Sequence, residues 1–166
     1  MKYSAIIYDD MADGPGIRTG IFVSGCRNRC KGCFNQEAWD FNHGEEFTEK
    51  EWGIIFASMD DYHSGISLLG GDPCEPENVE GLFDFVKLFI RTFPDKTIWC
   101  YTGYLYEDLM QRDDRTKDFL SMIDVLVDGK FDIDLKDSSL PFRGSSNQRI
   151  INLTLSSIDE VVEYEL

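Results

Sequence analysis

Three cysteines stand within eight residues: Cys26, Cys30 and Cys33, spaced C-x3-C-x2-C in the stretch Gly25–Asn35, GCRNRCKGCFN. Thiolates that close in sequence can face one small object only if the backbone curls around it. The stretch is therefore a loop wrapped on a ligand, and the chain has to supply an element to hang it from. Iron–sulfur clusters are held by cysteine thiolates, four when the cluster is fully ligated. Three local thiolates leave one iron without a local protein ligand, and an open iron is a coordination site for a substrate. Structural zinc is the competing reading, completed by Cys74, Cys100 or His43. Such sites favour four closed ligands, often as two C-x2-C-like pairs. Here the second pair is missing, because Cys74 and Cys100 stand alone and far apart. These two read as small buried hydrophobes.

With 166 residues the chain suits a single domain, 1–166, with a real core. No long charge-free apolar run is available to span a bilayer, and the first residues, MKYSAIIYDD, meet acidic groups too early for a signal peptide. The expected location is the cytoplasm, where clustered thiols stay reduced and point to metal or redox chemistry. An odd total of five cysteines also fits a disulfide framework poorly. The 16 basic and 31 acidic residues give a net charge of −15. Nucleic-acid affinity rests on neutralising phosphates with Lys and Arg, so DNA and RNA are not expected partners.

Along the chain, Tyr3–Tyr8 reads as a strand, Asp13–Arg18 (DGPGIR) as a tight turn, and Gly20–Gly25 as a buried strand that carries the cysteine loop at its C-terminal end. Thr48 and Glu51 form a T-x-x-E capping box ahead of Trp52, Ile55, Phe56 and Met59 at helical spacing. A strand over Ile66–Leu69 ends in Gly70–Gly71–Asp72–Pro73, and a helix follows from about Glu77 to Thr92. Strand Thr97–Tyr101 breaks at Thr102–Gly103. Helical turns over Tyr104–Met110 and Lys117–Ile123 lead to strand Asp124–Val127, which closes on Asp128–Gly129–Lys130. Arg149–Leu153 reads as a last strand and Ser157–Tyr164 as a short terminal helix. The histidines His43 and His63 read as surface or loop residues, and pairs such as Asp9–Asp10 as solvated faces.

Alternating strands and helices imply βα units, a parallel sheet and right-handed crossovers. The four unusual loops each follow a strand, and in parallel α/β folds ligand sites lie at the C-terminal strand ends. Too few strands are available for a closed eight-fold barrel of ~250 residues. The expected architecture is α/β, a partial and open (β/α) barrel.

These residues resemble a known family. GCRNRCKGCFN carries the C-x3-C-x2-C signature of the radical S-adenosylmethionine (SAM) enzymes, and DGPGIR is similar to their glycyl-radical-activating branch. The superfamily usually has an aromatic residue just before the third cysteine, where this chain has Gly32. That departure, with Phe34, Asn35 and Trp39, resembles the anaerobic ribonucleoside-triphosphate reductase-activating proteins. GISLLGGDP, IWCYTGY, DVLVDGKF, DLKDSSL and RGSSNQ agree in the same order.

The resemblance implies an oxidoreductase of radical SAM type. Cys26, Cys30 and Cys33 would ligate one 4Fe–4S cluster, and SAM would chelate the iron that lacks a cysteine. Reductive cleavage of SAM would then install a glycyl radical on an anaerobic reductase. Gly70, Gly71 and Asp72 would hold SAM, Gly32, Cys33 and Phe34 would line its adenosine end, and Asp128 and Lys130 would lie near its ribose and carboxylate. A low-potential donor such as a flavodoxin is implied. The alternatives are an activase for another glycyl-radical enzyme, such as a formate-lyase, and a non-catalytic zinc module.

Overall fold

A computed structural model describes residues Met1–Leu166. In chain order the elements are β1 (Lys2–Asp10), β2 (Ile17–Val23), β3 (Glu45–Glu46), α1 (Glu49–Ser58), β4 (His63–Gly70), α2 (Pro76–Thr92), β5 (Thr97–Tyr101), α3 (Tyr106–Met110), α4 (Asp114–Ser121), β6 (Val125–Asp128) and β7 (Arg149–Asn152). A 3-10 turn at Gln36–Trp39 follows the cysteine loop.

The strands form one seven-stranded mixed sheet in the order β3-β1-β2-β4-β5-β6-β7. The central pairings β2–β4, β4–β5 and β5–β6 are parallel. The outer pairings β1–β2, β1–β3 and β6–β7 are antiparallel. The linear order leaves two different edges, so the sheet is open.

Strand alternation divides the sheet into two faces. Ile21, Val23, Ile66, Leu68, Ile98, Cys100 and Leu126 point to one side and join Ile55, Leu82, Phe85, Phe89, Leu109 and Phe119 from the helices in a core of 21 buried residues. All four helices therefore cover one face. On the other face Trp99, Val125, Val127 and Ile150 pack with Phe142 and Tyr164 from the C-terminal segments. Helix α1 starts where its capping box places it, with the Glu51 carboxylate accepting from the Thr48 N–H at 2.8 Å. Pro76 opens α2 at a position where no N–H is needed.

The Asp13–Arg18 stretch bends only through Gly16; Ile17 and Arg18 already belong to β2. Arg18 is the reason, because its side chain is 1% exposed and laces three strands together. It donates to Ser67 Oγ at 3.0 Å, to the Ile66 carbonyl at 2.9 Å and to the Thr97 carbonyl at 2.7 Å.

Three expectations are corrected. Ser157–Tyr164 is not helical. It runs back along β7, with Asn152 N–H donating to Val162 O and Tyr164 N–H to Ile150 O, both at 2.8 Å. Val161 and Val162 are β-branched, and the Tyr164 ring meets Trp99 edge-on at 5.3 Å, so extended backbone gains more here than a short exposed helix. His63 is buried at the start of β4, its Nδ1 accepting from the Asp60 N–H and its Nε2 lying 3.1 Å from Asp9 Oδ1. Asp10 is also buried, beside Asp13, because β2 and the Gly14–Gly16 turn close over the end of β1.

Replacing Arg18 by Ala strands the Ile66 and Thr97 carbonyls without their buried donor. The expected loss is about 2–4 kcal/mol of unfolding free energy, read by denaturant unfolding of the metal-free chain. A change under about 0.5 kcal/mol, the scale of an ordinary surface substitution, would contradict this role.

Candidate functional site

The four parallel strands end on one rim, and the loop after each turns toward a common cavity of about 440 Å³. The cysteine loop leaves β2 and returns to its own base, where Gly25 N–H donates to Ala38 O at 2.8 Å and Cys26 N–H to Trp39 O at 3.2 Å. Within it Cys33 N–H donates to Cys30 O at 3.1 Å, which turns the second and third cysteines the same way. All three cysteines border the cavity.

Gly70 and Gly71 are there because two backbones nearly touch. Gly71 N–H donates to Val23 O at 2.7 Å and Asp72 N–H to Gly25 O at 2.8 Å. A Cβ on Gly71 would lie 2.6 Å from Gly25 O and 2.7 Å from Ala38 O, backbone atoms that cannot swing away. The β4 loop is thus sewn directly to the root of the cysteine loop.

Asp72 ties the next two loops together. Its buried carboxylate accepts from Asn28 Nδ2 at 2.7 Å, Gly103 N at 2.9 Å, Cys74 N at 2.9 Å and Thr102 Oγ1 at 3.1 Å. Burial raises its pKa to about 6, and the hydrogen bonds oppose that rise. Behind it, Asn78 Nδ2 donates to Ser24 O at 3.0 Å and Asp72 O at 2.9 Å. Fully buried Glu75 accepts from Arg27 N at 2.8 Å, Arg27 Nη1 at 2.5 Å and Tyr104 OH at 2.8 Å. The first turn of α2 therefore clamps the cysteine loop from below.

Gly32 has φ +78, and a Cβ there would meet Ile133 Cδ1 at 2.8 Å. The left-handed backbone between the second and third cysteines, with Ile133 packed against it, accounts for a glycine at this position. Phe34 borders the cavity and is 92% exposed. Gly70, Gly71 and Asp72 also line the cavity.

Asp128 and Lys130 do not. The Asp128 carboxylate is fully buried, accepting from Tyr106 N at 2.8 Å and from Arg149 Nε at 2.9 Å, so it anchors α3 and β7 while its neighbours Val127 and Gly129 face the cavity. Lys130 is exposed beside Cys30, where its charge favours the thiolate. Tyr101 and Arg143 line the cavity with other atoms, while the Tyr101 hydroxyl and Arg143 Nε are buried without a hydrogen-bond partner. Thr102 lies in the rim loop expected after β5, whereas Asn28, Glu75 and Asn78 carry no motif that marks them. Glu75 and Asn78 leave one trace, the polar residues Glu75, Glu77 and Asn78 shortly after GGDP, where a helix start would be free to be apolar.

No three His, Cys, Asp or Glu side chains converge closely enough to hold a single metal ion. The donor set fits a larger object: three thiols spread around one cavity, as a polynuclear cluster requires. Burial, and then Asp72, push the Cys26 thiol up to about 11, and burial raises Cys30 as well. Ligation would therefore release protons from these groups.

Residues 12–151 match the family described as the 4Fe-4S single cluster domain. The anaerobic ribonucleoside-triphosphate reductase-activating protein of Salmonella typhimurium strain LT2 is 42% identical over 156 residues, covering 92% of this chain and 99% of its own length. This chain belongs to the family of anaerobic ribonucleoside-triphosphate reductase-activating proteins. The activating proteins of Escherichia coli K12, 42% identical over 99% of its length, and of Enterobacteria phage T4, 37% identical over 93%, are similar across the same span. Membership in this activating-protein family, with its 4Fe-4S domain, accounts for a cysteine loop and four rim loops meeting at one cavity.

Asp72→Ala leaves the Gly103 and Cys74 N–H groups buried without an acceptor. A loss of about 2–4 kcal/mol is expected, together with failure to retain iron on reconstitution; unchanged stability and iron content would contradict the clamp. Stability should also depend on pH. Burial and Asp10 raise Asp13 from 3.8 to about 7, and burial raises Asp72 from 3.8 to about 6. Both hold their protons more tightly folded than unfolded, so their contribution is full below pH about 4 and is lost as pH rises through about 6–7. Asp13→Asn should flatten the decline between pH 6 and 7 in unfolding curves of the metal-free chain, and an unchanged slope would contradict the assignment.

Proposed function

We propose that this chain, as one domain over residues 1–166, is a radical SAM activase that generates the glycyl radical on an anaerobic ribonucleoside-triphosphate reductase. The observation that carries the reading is that Cys26, Cys30 and Cys33 border the same cavity as the loops after β4, β5 and β6. In this reading the four successive parallel strands, with helices on one face and the cavity at the rim of the other, are a partial barrel. The five free cysteines suit the reducing cytoplasm.

The three thiolates would hold a 4Fe–4S cluster with one iron free of protein ligands, facing the cavity. With cluster and SAM bound, one-electron reductive cleavage of the S–C5′ bond supplies the 5′-deoxyadenosyl radical that removes a hydrogen atom from a glycine Cα of the reductase. The chain's own residues bind, orient and enclose. Gly70 and Gly71 keep the rim backbone free of side chains, so a ligand can approach it closely. Asp72 fixes the β5 loop against the cysteine loop. Gly32, Cys33 and Phe34 form the side of the cavity nearest solvent and would meet the adenosine. A low-potential donor such as a flavodoxin would supply the electron.

The test is anaerobic reconstitution followed by reduction with dithionite in the presence of SAM and the reductase. The expected result is about four irons and four sulfides per chain, formation of methionine and 5′-deoxyadenosine, and a glycyl-radical doublet in the electron paramagnetic resonance spectrum. Cys26→Ser, Cys30→Ser and Cys33→Ser should each abolish all three. Binding of zinc alone with no SAM cleavage would overturn the reading; radical formation only on a different glycyl-radical enzyme would reassign the target.

A further inference from the structure

A thiolate bound to an iron–sulfur cluster still accepts hydrogen bonds, and a donor aimed at it favours the more negative, reduced cluster over the oxidised one. Backbone N–H groups supply part of this at the cysteine loop. Those of Asn28 and Arg29 favour the Cys26 thiolate, and that of Phe131 favours the Cys30 thiolate. Any residue at these positions would offer the same N–H. A side-chain donor is different, because the sequence has to choose it. Among the side chains, Asn28 alone donates to a sulfur of the three loop cysteines, from Nδ2 to Cys26 Sγ at 3.6 Å.

The orientation of this amide is fixed by its other partner. Asn28 Nδ2 also donates to Asp72 Oδ2 at 2.7 Å. A carboxylate only accepts, so the NH2 end of the amide faces it, and that end carries two N–H groups. One goes to the carboxylate and the second is left for the sulfur. Asp72 is not short of donors without this bond, since Gly103 N, Cys74 N and Thr102 Oγ1 also bond to it. Room for the amide comes from Gly103, where a Cβ would lie 2.5 Å from Asn28 Nδ2. Directly after Asn28 the loop turns through Arg29 in a left-handed conformation, φ 48, uncommon for a residue other than glycine. A leucine would fill nearly the same space as Asn28 and offer neither N–H. An aspartate would set a second carboxylate against Asp72.

We propose that Asn28 is a positioning residue for the electron-transfer step: held in place by Asp72, its amide donates to the Cys26 thiolate and raises the reduction potential of the cluster. The proposal rests on the cluster assignment above. In the step it serves, a one-electron reductant such as dithionite is oxidised and the cluster is reduced by the same electron; no covalent bond is made or broken. The added negative charge is shared by the ligating sulfurs. The bond from Asn28 to Cys26 is therefore stronger after reduction than before, and the reduced form gains the difference.

The experiment uses anaerobically reconstituted holoenzyme without SAM, wild type and Asn28→Leu, with iron and sulfide content measured for both. The midpoint potential is read by mediated dithionite titration, following the electron paramagnetic resonance signal of the reduced cluster. The variant should be harder to reduce by about three- to tenfold in the one-electron equilibrium, a fall of about 30–60 mV. A second reading uses protein grown on asparagine labelled with nitrogen-15 at the side-chain amide. Reduced wild type should show a nitrogen-15 hyperfine coupling to the cluster that is absent from Asn28→Leu. If the leucine variant loses iron, Asn28→Met replaces it, with a shift of the same sign. A potential within about 1.5-fold of wild type, about 10 mV, would overturn the role of Asn28. So would a shift to higher potential, a coupling that persists in the variant, or loss of the cluster from both variants, which would make the residue purely structural. Wild-type protein that takes up no four-iron cluster would overturn the cluster assignment itself, and the proposal with it.

Discussion

The backbone contact between the ends of β2 and β4 is the constraint on which the site depends. Val23 O and Gly25 O accept from Gly71 and Asp72, and the absence of side chains at Gly70 and Gly71 is what lets the two strand ends meet. That contact brings Asp72 under the cysteine loop, where its carboxylate gathers donors from Asn28, Thr102, Gly103 and Cys74. One buried carboxylate thereby positions loops from three strands. Its ionisation is costly, as the rise of its pKa to about 6 records, and four hydrogen bonds offset the cost. The site is held by polar bonds at the rim while the apolar core on the helical face holds the sheet.

The parts of this arrangement legible in the sequence are those with a local signature. The cysteine spacing, the GGDP turn and the T-x-x-E cap each encode their geometry within a few residues, and all three lie where their chemistry places them. The position of four loops on one rim followed from alternating strands and helices alone. What escaped was set by tertiary partners. Asp128 reads as a rim residue, yet strand alternation turns its carboxylate toward Tyr106 and Arg149. His63 and Asp10 look like surface groups until β1, β2 and β4 close around them. The last residues carry a helical spacing, but the open edge of β7 and the face of Trp99 offer a better partner than solvent.

The cysteine loop is a thin wall, clamped below by Glu75 and Asn78 and open on both sides. Cys26 is the cysteine that borders the space on either side of this wall. Gly32 contributes to that thinness, since its left-handed backbone turns the third cysteine inward without adding bulk against Ile133.

The central claim is that the three thiolates leave one iron open to SAM. Pulsed electron paramagnetic resonance of the reduced, reconstituted protein with SAM labelled by nitrogen-15 at its amine tests it directly. The account predicts a nitrogen-15 hyperfine coupling to the cluster, present in wild type. A fully formed cluster with no such coupling would contradict it.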